Sequence, residues 1–151
     1  MLITIVIFVN NVKTMKDQTP TGLAVMIGIL GGNEETVNAV KTSIGKTIEN
    51  VCMHDDILIF KFTDDTKLKM WDDGQCCCEH RYMMTDDDLT YFSGAKLMGF
   101  EIKDAPDGED NGEVHQVQFL DVTTDKGVFQ MATHNEHNGY YGGFWIVART
   151  S

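Results

Sequence analysis

The residue types best suited to chemistry are concentrated in residues 71–83, which read WDDGQCCCEHRYM. Thiolates, imidazoles and carboxylates are metal ligands, and this segment contains all three. Consecutive cysteines on a strand point to opposite faces, so at most Cys76 and Cys78 are expected to share one. A tetrahedral site would need further ligands from a second histidine-bearing segment. The four candidate metal ligands are Cys78, His80, His134 and His137.

The spacing of these residues argues against both a standard zinc site and a thiol enzyme. The C-x-x-C pair of zinc knuckles is absent, and partly covered thiols beside a turn are more often structural. A thiol nucleophile with a histidine base is the corresponding enzymatic arrangement, with Cys78 as the thiol, but no oxyanion-hole motif accompanies it. We therefore predict no resident metal, no cofactor and no enzymatic activity. A metal- or thiol-dependent hydrolase is kept as the second alternative to the binding function described below.

A second candidate site is the glycine- and tyrosine-rich segment 135–143, which reads NEHNGYYGG. Glycines permit positive φ angles and a close approach to a ligand, while tyrosines offer ring faces and hydroxyls. Such a loop suits a small polar or aromatic ligand such as a nucleotide base, and a β-bulge with cross-strand tyrosines explains it equally well. The candidate binding residues of both segments are Gln75, Glu79, His80, Arg81, Asn138, Gly139, Tyr140 and Tyr141.

The third feature of the sequence is its negative charge. The 151 residues include 12 Lys and Arg against 23 Asp and Glu, which gives a formal charge of -11 and a pI near 4.6. Phosphate backbones and anionic membranes need a cationic face, so we expect no direct binding to nucleic acid or membranes. Carboxylates presented together can imitate phosphates to a basic protein. The candidate acidic surface consists of Asp86, Asp87, Asp88, Asp107, Glu109 and Asp110.

The elements that must position these residues indicate a small α+β fold: a predominantly antiparallel β-sheet meander with one or two short helices. A helix is expected from Glu34, with Val37, Val40 and Ile44 on one face. Asp86 to Asp88 are expected to cap a second short helix, and residues 105–112 to form a polar loop. The predicted strands are 47–53, 57–62, 66–71, 96–102, 113–123, 127–133 and 139–148.

The character of the chain changes near residue 44. We divide it into residues 1–43, an N-terminal extension that contributes a strand, a helix or an arm, and residues 44–151, the main α+β domain. The apolar runs at 1–9 and 22–31 are too short to span a membrane. Four cysteines, three of them consecutive, make a poor disulfide framework, which points to an intracellular protein.

The ordered blocks from residue 44 to residue 148 resemble a family of small domains common in phages and prophages. The blocks are DDGQCCCEHRYM, TDDDLTYFSGAKLMGFEIKDAP, EVHQVQFLDVTTDKGVF and HNEHNGYYGGF. Members carry a Gln-x-Cys-Cys-Glu block, a short acidic helix and a terminal Asn-Gly-Tyr-Tyr motif. Cys76 stands where relatives carry a small polar residue, and His80 and Arg81 match only some relatives. The matching positions are Gln75, Cys77, Cys78, Glu79, Asn138, Gly139, Tyr140 and Tyr141.

The resemblance implies a phage accessory protein that acts in the host cell cytoplasm. Since no catalytic motif is present, we expect a non-catalytic inhibitor of a host antiviral defence protein, such as a CRISPR effector, that acts through its acidic surface. The alternative is a homo-oligomeric sponge that sequesters a nucleotide-derived immune signal. An anionic signal needs local cations, which disfavours the sponge, whereas the tyrosine-rich loop favours it.

Overall fold

The computed structural model describes residues 5–8, 34–105, 108–110, 113–139 and 142–151. This part of the chain forms one α-helix, one 3₁₀ helix and ten strands. The α-helix α1 spans Glu34–Ser43, and the 3₁₀ helix spans Leu89–Phe92. The strands are β1 (Ile5–Phe8), β2 (Ile48–His54), β3 (Ile57–Phe62), β4 (Lys67–Asp72), β5 (Glu79–Met84), β6 (Leu97–Asp104), β7 (Gly108–Asp110), β8 (Glu113–Thr124), β9 (Gly127–His137) and β10 (Ile146–Thr150).

The strands form two sheets, and every pairing in them is antiparallel. The larger sheet has the order β1-β6-β8-β9-β5, with β7 also pairing with β8, and the smaller sheet has the order β10-β4-β3-β2. The predicted α+β class with mainly antiparallel strands is therefore confirmed. The order is more complex than a single meander, because β5 leaves β4 to pair with the distant β9.

The core lies where the two sheets meet, and three phenylalanines mark its centre. Phe60 on β3 packs against Phe100 on β6 at 6.0 Å and against Phe129 on β9 at 6.2 Å between ring centroids. Phe60 is fully buried, as are Leu58 and Phe62 on the same face of β3. The alternation of apolar residues along this strand is the pattern expected of a half-buried β-strand.

The turn between β2 and β3 consists of Asp55 and Asp56, which have φ angles of 48° and 61°. Positive φ at both central residues fits the mirror-image turn that joins twisted strands most tightly, and aspartate tolerates this conformation. Asp56 has a second role, since its Oδ1 accepts a hydrogen bond from the backbone N–H of Met83 at 3.3 Å. Like Met83, Arg81 has its outward backbone N–H bound by a side chain: Gln75 Oε1 accepts from Arg81 N at 2.9 Å. These two bonds cap the outer edge of β5.

The two described elements before residue 44 contact the main body of the fold. Strand β1 pairs with β6, and α1 packs against β10, where Thr36 Oγ1 accepts a hydrogen bond from Ala148 N. The buried residues of α1 are Ala39, Val40 and Ser43. Of the predicted apolar face, Val40 is buried and Val37 is half-buried. The apolar run at 22–31 lies outside the described residues. The division at residue 43 stays a prediction.

Several predicted boundaries change in the structure. Strand β5 was not expected, and β7 occupies part of the predicted polar loop at 105–112. Strand β9 extends to His137, because its far end pairs with both β8 and β5. The predicted last strand begins only at Ile146 and joins the smaller sheet. No helix among the described residues is long and apolar enough to cross a membrane.

Candidate functional site

A groove of about 700 Å³ lies at one end of the larger sheet. It lies between the turn that precedes β5 and the adjoining ends of β8 and β9. Its lining combines thiols, imidazoles and carboxylates. The lining residues are Cys77, Cys78, Glu79, His80, Glu113, Val114, His115, Glu136, His137 and Asn138.

The cysteines that line the groove lie in a turn rather than on a strand. Cys77 and Cys78 are the central residues of a β-turn closed by a hydrogen bond from Glu79 N to Cys76 O at 3.4 Å. Their Sγ atoms are 3.4 Å apart. The expectation that only Cys76 and Cys78 share a face assumed strand geometry and is wrong. The turn brings the two neighbouring thiols side by side.

Beneath the groove, Arg81 forms a buried ion-pair network. Its side chain is 7% exposed, and those of Asp72 and Glu79 are 4% and 2% exposed. Arg81 Nη1 donates to both oxygens of Asp72 at 3.0 and 3.1 Å, while Nε and Nη2 donate to Glu79 at 2.6 and 3.1 Å. Burial lowers the pKa of Arg81, but Glu79 and Asp72 outweigh this effect and hold the pKa above its ordinary value.

This network links the smaller sheet, the larger sheet and the segment that contains Gly143 and Trp145. Asp72 ends β4 in the smaller sheet, whereas Arg81 lies on β5 in the larger sheet. Arg81 Nη1 also donates to Gly143 O at 3.1 Å, and Asp72 Oδ1 accepts from Trp145 N at 3.1 Å. The guanidinium is therefore committed to the protein interior, and two carboxylates neutralise its charge.

Gln75 holds the cysteine turn in place. Its side-chain nitrogen donates to Cys76 O at 2.8 Å and to the backbone oxygen of Glu79, while its oxygen accepts from Arg81 N. All three polar contacts stay within the segment from Gln75 to Arg81. Gln75, Glu79 and Arg81, which the sequence marks as candidate binding residues, thus converge in space, and their described contacts are to the protein itself.

The opposite wall of the groove is held by His137 at the end of β9. Its Nδ1 accepts from Gly139 N at 3.0 Å, so the hydrogen of the neutral ring lies on Nε2, which donates to Gln116 Oε1 at 3.0 Å. Gln116 Oε1 also accepts from Gly143 N at 2.8 Å. These bonds fix the two ends of the segment that carries Tyr140 and Tyr141, which themselves lie outside the described residues.

The outer face of the larger sheet carries a cluster of five polar and aromatic side chains, and three of them, His80, His115 and Glu136, also line the groove. We call these five the imidazole cluster. Its members are His80, Tyr82, His115, His134 and Glu136. The Tyr82 and His134 rings stack at 4.6 Å and 7°. His115 Nε2 and His134 Nδ1 share a hydrogen bond of 2.8 Å, and Glu136 contacts His80 and Tyr82 through its two carboxylate oxygens.

The imidazole cluster makes stability depend on pH. Burial lowers the pKa of His134, His115 lowers it further, and Glu136 opposes them. Because the lowered pKa belongs to the folded state, the unfolded state takes up the proton first as pH falls below about 6.5. We expect the free energy of unfolding, measured in urea, to fall more steeply as pH drops below about 6.5 in wild type than in His134→Gln. Parallel profiles for the two proteins would contradict this role of His134.

Most of the described members of the candidate acidic surface have structural partners. Asp87 Oδ2 accepts from Gln130 N at 2.8 Å, and Asp88 Oδ1 caps the 3₁₀ helix by accepting from Thr90 N at 3.0 Å. Asp86 is exposed. Asp107 and the side chains of Glu109 and Asp110 lie outside the described part, although the backbone of β7 pairs with Glu113 to His115 at the groove.

The four candidate metal ligands do not form one site. His134 and His137 are three residues apart on β9 and therefore point to opposite faces of the sheet, with His134 in the imidazole cluster and His137 in the groove wall. Across the described ranges, no group of three or more His, Cys, Asp or Glu side chains is arranged to hold a metal ion.

Sequence reasoning missed four residues that shape the site, namely Glu113, His115, Gln116 and Glu136. Each lies near an end of β8 or β9, and their positions become meaningful only through the pairing of these strands with each other and with β5. The available signal was the alternation of His115 with Val114 and of Glu136 with His137, which places neighbours on opposite faces.

Gly74 is required by the Arg81 network. A Cβ atom at this position would lie 2.5 Å from Arg81 Nη1 and 2.7 Å from its Cζ. We expect Gly74→Ala to lower the free energy of unfolding by about 1–3 kcal/mol, because the guanidinium must move away from Asp72. Denaturant unfolding measures this cost. In an Arg81→Ala background the same change should cost little, and an undiminished cost there would rule out the proposed clash.

These features place the protein in the class of small α+β domains with two antiparallel sheets, and a groove lies at one end of its larger sheet. Residues 41–147 match the model of DUF7448, a domain of unknown function, and the chain belongs to this family. No curated protein and no solved structure matches the chain.

Proposed function

We propose that this chain is a non-catalytic binding protein whose groove receives a basic segment of a partner protein. The partner class is a protein of a host antiviral defence system, as the resemblance to phage domains implies. The observation that carries the proposal is the charge of the groove. Glu113 and Glu136 line it, and no Lys or Arg is among its described lining residues.

The surroundings of the groove support a cationic partner. Arg81, which lies below the groove, is neutralised by Asp72 and Glu79. The backbone of Glu109 and Asp110 pairs with Val114 and Glu113 in the groove wall, so these two members of the candidate acidic surface belong to a strand beside the groove. Asp86 to Asp88 follow the opposite end of β5. A lysine or arginine side chain would meet carboxylates here, and the total charge of -11 would speed its approach.

The first test uses a nona-arginine peptide as the probe and calorimetry as the measurement. We expect binding that weakens as salt rises, and a loss of about 5-fold or more in Glu113→Gln and Glu136→Gln. Asp86→Asn removes one exposed carboxylate far from the groove and is the matched control. Equal losses in all three variants would show only general attraction to the acidic protein and would contradict a groove site.

The second test addresses the defence partner. Expression of the wild-type chain in a host with an active defence system should raise the plaque count of a sensitive phage. The Glu113→Gln/Glu136→Gln double variant should lose most of this effect while Asp86→Asn keeps it. No rise with the wild-type chain would contradict the anti-defence role and leave the peptide-binding result standing by itself.

A nucleotide sponge is the second candidate, because about 700 Å³ is a volume typical of small-molecule sites. The sponge ranks second because the negative charge of a bound phosphate would meet no Lys or Arg among the described lining residues. Native mass spectrometry of protein recovered from phage-infected, immune-competent cells separates the two. A symmetric oligomer that carries a nucleotide-sized adduct supports the sponge, and an adduct-free protein supports the basic partner.

A further inference from the structure

The cysteine turn at the rim of the groove presents two free thiols as a pair. Cys77 and Cys78 are both exposed, and their Sγ atoms are 3.4 Å apart. Cys76, directly before them, is also exposed, but the Sγ–Sγ contact seen in the described residues joins only Cys77 and Cys78. Two adjacent thiols can form a disulfide or chelate a metal ion, and the geometry distinguishes between these outcomes.

A disulfide fits this turn poorly. Its Cα atoms normally lie about 4.4–6.8 Å apart, whereas consecutive Cα atoms joined by a trans peptide are about 3.8 Å apart. Chelation fits better. Two thiolates bound to one tetrahedral Zn²⁺ at about 2.3 Å lie about 3.8 Å from each other, which is close to the spacing of Cys77 and Cys78.

We propose that Cys77 and Cys78 together bind one thiophilic metal ion, of the class represented by Zn²⁺, Cd²⁺ and Cu⁺. Each thiol releases its proton to solvent, two metal–sulfur bonds form, and no electron is transferred. With Zn²⁺ the two thiolates balance the charge of the ion. This inference concerns the dithiol alone and does not depend on the basic partner proposed above.

The turn is organised before the ion arrives. The Gln75 side chain donates to Cys76 O and to the backbone oxygen of Glu79, so the residues on both sides of the dithiol are held by one amide. Gln75 also accepts from Arg81 N, which ties the turn to β5. A site held in this way loses little conformational freedom on binding.

The remaining coordination positions are open to water or to a small thiol. Among the described residues no group of three ligands is arranged around one point, and the site proposed here consists of the two sulfurs. The nearby carboxylates of Glu113 and Glu136 line the same groove and favour a positive ion. A two-sulfur site with open positions exchanges its ion readily, unlike a closed four-ligand structural site.

The test titrates Co²⁺ and Zn²⁺ into the full chain kept reduced by a phosphine. We expect one Co²⁺ per chain with a thiolate-to-metal absorption band, displaced by Zn²⁺. Cys77→Ser and Cys78→Ser should each weaken binding at least 10-fold, whereas Cys76→Ser and Cys52→Ser should bind as wild type does. Circular dichroism checks that each variant is folded.

Two results would overturn the site. One is wild-type affinity in a folded Cys77→Ser or Cys78→Ser variant, and the other is an equal loss in Cys76→Ser. Neither result affects the peptide experiment with Glu113 and Glu136, in which the thiols are unchanged. A trivalent arsenical that requires two thiols provides an independent probe, and we expect it to be retained by wild type and by Cys76→Ser.

Discussion

Replacing Arg81 by methionine is expected to lower the free energy of unfolding by about 3–5 kcal/mol, which is the cost typical of breaking a buried ion pair. The loss arises because Asp72 and Glu79, at 4% and 2% side-chain exposure, would keep their charges without a cationic partner. The links to Trp145 and Gly143 would weaken as well, since both depend on the same network. Urea unfolding monitored by tryptophan fluorescence measures the change.

The matched control for Arg81 is Arg149. Its ion pair with Glu35 is more than half exposed, so Arg149→Met should change stability by at most about 1 kcal/mol. The triple variant Asp72→Asn, Glu79→Gln, Arg81→Met removes both orphaned charges and should recover part of the loss. A triple variant as unstable as Arg81→Met would show that shape, rather than uncompensated charge, explains the effect.

Truncation of Phe60 to alanine is expected to cost about 3–5 kcal/mol as well, because it opens a cavity between the two sheets. Phe60 of the smaller sheet is fully buried and packs against Phe100 and Phe129 of the larger sheet. Val128→Ala is the comparison, since Val128 is 54% exposed and its truncation should cost no more than about 0.5 kcal/mol. Similar midpoints for the two variants in denaturant would contradict a core centred on Phe60.

The local pattern of the sequence predicted most of the smaller sheet. Alternation in β3 and the Asp55-Asp56 turn are short-range signals, and both appear in the structure where expected. Strand β5 was missed because its first half, Glu79 to Arg81, is polar and the strand lacks β-branched residues. Its partner β9 lies some fifty residues further along the chain, and periodicity carries no information on which distant strands pair.

The candidate site was predicted in part for the same reason. The cysteine segment and the segment around Asn138 were both identified, and the structure brings Cys77, Cys78 and Asn138 to one groove. Gln75, Glu79 and Arg81 bind one another within the protein. Their spacing in the sequence does not reveal this, because it does not give the directions of the side chains. His115 gained its role only when β8 aligned it with His134 and Glu136.

The capped edge of β5 limits the ways in which another molecule can attach to this fold. Gln75 and Asp56 already occupy the outward N–H groups of Arg81 and Met83. An extended peptide therefore finds few free donors there for β-augmentation, and a second copy of the chain finds few for edge-to-edge aggregation. At this edge of the larger sheet a second molecule would therefore meet the side chains of the groove rather than free backbone donors.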